Sequence, residues 1–127
     1  MLKLEVSNMD NKEFGKQLEE RTKEFSIRII RLSTSLPGTS ESKVIRNQIT
    51  KSGTSIGANY REANRSGSKA DFANKIKICA SEANETVYWL EIINELNWSN
   101  MEELEKIIVE AKELLAIFTS VGSKMKL

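Results

Sequence analysis

The sequence contains no histidine, one cysteine and one proline in 127 residues. Without histidine, the commonest general base, the commonest transition-metal ligand and any Ser-His or Cys-His nucleophile pair are all missing. A single cysteine, Cys79, excludes an internal disulfide framework. One proline and six glycines leave little material for the turns of an all-β fold. No apolar run approaches the roughly 18 residues of a membrane span. The N-terminal stretch MLKLEVSNMDNKEF lacks the apolar segment of a secretion signal, so the expectation is a cytoplasmic protein that does not engage a membrane.

What is present is helical periodicity. Residues 1–127 are read as one domain, 39% hydrophobic and 29% charged. A first helix is predicted from about Asp10 to Leu36, with the stripe Phe14, Leu18, Thr22, Phe25, Ile29, Leu32, Leu36 at steps of three and four. Pro37-Gly38 ends it. A second is predicted over Ser40–Asn64, with stripe Ile45, Ile49, Ser52, Ile56, Asn59/Tyr60, Ala63. A third runs from Ser68 to about Asn97 on Phe72, Ile76, Cys79, Ala83, Val87, Leu90, Ile93, with Ser68 and Asp71 as a capping pair. A fourth begins at Ser99, paired with Glu102, on Leu104, Ile108, Ala111, Leu115, Phe118, and ends near Gly122. Residues 1–9 and 123–127 are expected to fray. Short loops make neighbours antiparallel, which gives an all-α, up-down-up-down four-helix bundle. A three-helix bundle with a mobile first helix is the alternative.

Charge is unevenly spread. Net charge is +1, yet residues 43–77 carry net +6 and residues 78–127 net −5. On the second helix Lys43, Arg46, Lys51, Arg61 and Arg65 lie opposite the apolar stripe. This face is an ordinary solvated surface, a contact for an acidic neighbour, or a site for RNA or DNA phosphates. Glu62, the lone acid between Glu41 and Asp71, is placed to pair with Arg65. Without histidine, the glutamates at 82, 85, 91 and 95 do not compose a di-iron set, and no metal or cofactor is expected.

Several apolar residues fall outside the stripes: Ile27 and Ile30 on the first helix, Ile78, Trp89 and Ile92 on the third, and Ile117 on the fourth. They either thicken the core or form a subunit interface. The stretch SGTSIGANYREA is not a phosphate loop, because no lysine follows Gly57 and the preceding residues are helical. Gly53 and Gly57 instead sit one turn apart on a flank of the second helix, where small residues admit a close neighbour. They join the candidate interface with Ile27, Ile30, Ile78, Trp89 and Ile92.

The run LPGTSESKVIRNQITKSGTSIGANYREANRSGSKADF, with its Ser55-Ile56, Asn59, Glu62, Arg65, Ser68 and Phe72 spacing, resembles the proteins encoded in intervening sequences of bacterial 23S rRNA genes. The same family has relatives near the accessory variability proteins of diversity-generating retroelements. Leu36, Pro37, Gln48, Ile78, Glu85 and Leu90 extend the match to about residues 36–96, while Ala63-Asn64 departs from the usual Glu-Gly. The resemblance implies a four-helix bundle assembled into a homopentameric ring without enzymatic activity. It also implies a link to nucleic acid through the basic retroelement relatives.

Overall fold

Asn11–Ser35, Ser40–Asn64, Lys69–Glu95 and Met101–Lys124 form four α-helices, α1 to α4, in a computed structural model that describes residues 11–125. There is no strand among the described residues. Each helix packs along the next, and the cross-helix bonds give antiparallel registers, with Thr50 opposite Ser33 and Lys75 opposite Glu62. α1 is an integral part of the bundle, which removes the three-helix alternative. Its Leu18, Thr22, Phe25, Ile29 and Leu32 are all buried.

The helix ends follow from local chemistry. The Thr39 and Ser68 side chains accept the backbone N–H of Ser42 and Asp71, each at 3.1 Å, and so start α2 and α3. α3 stops because Asn97 adopts φ 55°, a left-handed conformation that asparagine tolerates. Asn97 then donates to Asn94 O and Trp98 to Ile93 O, the paired bonds of a Schellman turn. That turn uses the chain as far as Trp98. The cap of α4 is therefore Asn100, accepting from Glu103 at 3.1 Å, one residue later than the expected Ser99 and Glu102. α4 continues to Lys124, so residues 123 and 124 are helical rather than frayed. Residues 1–9, 126 and 127 lie outside the described residues, as does the Asp10 start expected for α1.

The core joins Phe25, Ile29, Ile49, Ile56, Ile76, Leu90, Leu104 and Phe118 at its centre. Tyr60 is buried and tilts against the Phe118 ring at 5.4 Å. The stripes expected for α1, α2 and α3 are the observed buried ones, with Phe14, Ile45, Phe72 and Asn59 half-buried at their edges. α4 is the exception. Its buried set is Leu104, Ile107, Ala111, Leu114, Ile117 and Phe118, whereas Ile108 and Leu115 are half-buried. α4 carries apolar residues on adjacent positions, so periodicity alone did not resolve which one faces inward. Ile117 thus belongs to the core and not to a second face.

Two kinds of contact set the spacing between helices. Between α1 and α2 the backbones come close. A β-carbon on Gly53 would lie 2.8 Å from Ile29 Cγ2, and one on Gly57 would lie 3.2 Å from Thr22 Cβ. Hydroxyl contacts lie within the seams: Ser52 with Thr86 at 2.9 Å, and Thr50 with Ser33 at 3.0 Å. α1 and α4 meet more sparsely. Arg21 closes their seam, donating to both carboxylate oxygens of Glu110 at 2.7 and 2.6 Å and to Glu113 at 2.8 Å.

Two predictions come from this packing. Gly53→Ala gains helix propensity but drives a methyl into Ile29, a stiff, fully buried side chain, so it lowers stability by about 1–2 kcal/mol net. Gly15→Ala meets nothing nearer than 3.6 Å and raises stability, by up to about 1 kcal/mol. Urea unfolding of both variants checks the opposite signs. Cys79 is fully buried, and burial pushes its thiol up to about 12. In the native protein it resists a thiol-specific reagent at pH 8 and reacts only on addition of denaturant. The thiol's native pKa is raised above its unfolded value. Its contribution to stability is therefore complete below about pH 9 and is lost as pH rises toward about 12.

Candidate oligomer interface

The outer surface of α2 and α3 carries two stripes set beside the core, of which Trp89 also packs against it. On α3 and its C-cap, Lys75, Ile78, Glu82, Glu85, Trp89, Ile92 and Leu96 follow at alternating steps of three and four, the spacing of a helix-packing seam. On α2, Val44, Gln48, Lys51, Ser55 and Glu62 occupy the flank turned to α3. The Glu62–Lys75 ion pair at 2.8 Å ties the two stripes at one end. This corrects the local Glu62–Arg65 pairing, because the tertiary register brings Lys75 nearer.

Large apolar groups on this surface face water. Val44 is 58%, Ile78 40% and Leu96 50% exposed, and Trp89 and Ile92 are half-buried between them. Polar groups are interleaved: Trp89 Nε1 donates to Glu85 at 3.1 Å. Burial pushes the Glu82 carboxyl above the usual carboxylate range, Glu85 adds to this, and Lys51 opposes it. The surface therefore combines an apolar centre with charges of both signs. Val44 and Leu96 were not among the residues singled out from the sequence. The signal for Leu96 was the same spacing, since it follows Ile92 by four, whereas Val44 has no apolar neighbour three, four or seven residues along α2.

The remaining candidates divide. Ile30 is 45% exposed and Ile27 half-buried, both on α1 and away from this groove. Gly53 and Gly57 face α1 of the same chain, with Ile29 and Thr22 against them, and Gly53 is buried. Among the basic residues, Lys43 and Lys51 are exposed and Arg46 is half-buried. Arg61 and Arg65 converge on Glu19 of α1 at 3.7 and 3.4 Å, and Asn64 donates to the same carboxylate at 2.8 Å. The expected basic arc is thus split, with Arg61 and Arg65 turned to α1 and Lys51 acting on Glu82 of α3.

The residues that carry the family resemblance have identifiable local roles. Ile56 is in the core, Phe72 packs against it, and Ser68 caps α3. Ser55 and Asn59 return their polar groups to α2 carbonyls, at Lys51 and Ser55 respectively. Glu62 and Arg65 make the cross-helix ion pairs.

Comparison with known proteins agrees with this architecture. The sequence matches the 23S rRNA-intervening sequence protein family over residues 16–120. A crystal structure of a protein of unknown function from the S23 ribosomal protein family of Bacteroides thetaiotaomicron VPI-5482 is similar, with a TM-score of 0.75 and 40% sequence identity. The alignment covers 81% of this chain and 95% of that one. No curated protein matches significantly. With most of its length and all four helices accounted for in this way, the chain belongs to the 23S rRNA-intervening sequence protein family.

Proposed function

We propose that this protein is a non-catalytic, self-assembling bundle of the cytoplasm, and that its α2/α3 groove is one half of a subunit contact that closes into a homopentameric ring. The observation that carries this reading is the apolar surface of exposed Val44, Ile78 and Leu96 around half-buried Trp89 and Ile92. An apolar surface of this kind on a small bundle is explained by a partner that covers it. A ring needs two different faces on each subunit. The outer side of α1, with Ile27 and Ile30, supplies a second one. The mixed signs of Lys51, Lys75, Glu62, Glu82 and Glu85 suit a second copy of the same chain better than a strongly charged partner. Five subunits is what the family resemblance implies. Among the described residues, no helix is long and apolar enough to cross a membrane.

A nucleic-acid role through Lys43, Arg46, Lys51, Arg61 and Arg65 has weaker support, because Glu19 already neutralises part of that set. If RNA or DNA binds there, reversing Lys43 and Arg46 to glutamate lowers the affinity and flattens its salt dependence.

Sedimentation at micromolar concentration tests the main reading. The expected result is a pentamer that the exposed-site double variant Ile78→Glu/Leu96→Glu converts to monomers with unchanged helical circular dichroism. A monomeric parent protein refutes self-assembly. An oligomer that survives the double variant moves the contact elsewhere.

A further inference from the structure

The sparse α1–α4 seam opens at one end of the bundle into a groove of about 630 Å³. Its walls carry Arg28 and Arg31 from α1, and Trp98, Ser99, Asn100 and Glu103 from the α3–α4 connection and the first turn of α4. This groove is separate from the α2/α3 surface. Arg28 and Arg31 are three residues apart, so their guanidinium groups share one face of α1. Neither is held as Arg21 is. Arg28 lies 3.9 Å from Glu103, beyond hydrogen-bond range, and no ion pair engages Arg31 among the described residues.

We propose that this groove binds a small planar molecule carrying a phosphate. The two guanidiniums match a dianionic, multi-oxygen group, which arginine recognises through several parallel N–H donors. Half-buried Trp98 supplies the apolar surface for a ring, and the Ser99 hydroxyl and the amide N–H of Asn100, whose oxygen caps α4, supply polar contacts beside it. The Schellman turn fixes the Trp98 backbone beside the groove, since its main-chain N–H is bound to Ile93 O.

Two features of the groove oppose an anion, and the structure moderates both. α1 ends here, and its terminal carbonyls carry negative character. Three of them are already occupied: Arg31 O by the Thr34 hydroxyl, Leu32 O by the Ser35 hydroxyl, and Ser33 O by the Leu36 N–H. Glu103 is the other. Its side chain is 57% exposed, so an incoming phosphate competes with it for Arg28 at little structural cost.

Isothermal titration calorimetry of the full chain with adenosine monophosphate and with inorganic phosphate tests the site. The nucleotide is expected to bind more tightly than phosphate alone. Arg31→Ala, at an exposed position, and Arg28→Ala are each expected to weaken it about tenfold or more. Glu103→Gln removes the competing carboxylate and is expected to tighten binding severalfold, a gain that damage to the fold would not produce. No heat from either probe at millimolar concentration overturns the proposal, and so does unchanged affinity in both arginine variants. Phosphate binding as tight as the nucleotide's overturns the role given to Trp98.

Discussion

The structure depends on the close approach of α1 to α2 at Gly53. Ile29 comes within 2.8 Å of where any other residue's β-carbon would be, and both positions are buried. Two glycines inside α2 cost helix propensity, roughly 1 kcal/mol each relative to alanine. The dense contact they permit offsets that cost, because dispersion depends on atoms in touch rather than on helix count. With α1 and α2 this near, the flanking hydroxyl contact of Thr50 with Ser33 falls into place. On the other flank Ser52 meets Thr86, and the Cys79 thiol donates to Ile56 O at 3.5 Å. The small side chains of α2 thus draw both neighbours inward.

That asymmetry shapes the rest of the molecule. α2 is embraced by α1 and α3, whereas α1 and α4 face each other across a looser seam. Charge does there what packing does elsewhere. Arg21 reaches two carboxylates of α4, and the hydrogen bonds to Glu110 hold its guanidinium firmly in the charged form. Farther along, Arg28 and Glu103 no longer touch closely, and the groove opens. A tightly packed side with an apolar outer stripe and a looser side with an arginine-lined groove are therefore two consequences of one uneven bundle.

Much of this was legible in the sequence, for physical reasons that can be named. The stripes of α1 to α3 were readable because their inward positions are apolar or small at unbroken steps of three and four, even where α3 carries further apolar residues outside. α4 was readable as a helix but not in register, since Ile107 and Ile108, like Leu114 and Leu115, offer two equally apolar choices. From the sequence alone Glu62 pairs with Arg65 within its own helix. The partner it takes, Lys75, lies thirteen residues away and becomes a neighbour only when α2 and α3 align. The α2/α3 surface was half visible, through Ile78, Trp89 and Ile92. Val44 escaped notice because an isolated exposed valine on a helix carries no signal until a second helix places Ile92 and Leu96 on the adjoining flank.

By itself the sequence determined the number of helices, their limits to within a residue or two, and the small-residue flank of α2. These are local properties, set by turn chemistry and by a period of 3.6 residues. It also determined the family, because Ser55, Ile56, Asn59, Glu62 and Arg65 keep a distinctive spacing. Only the tertiary structure decided what lies over Gly53 and Gly57, which of two adjacent apolar residues in α4 turns inward, and where the arginines point. Those outcomes depend on distances between separate helices. A one-dimensional pattern constrains the face a residue occupies, but not the partner that the face will meet.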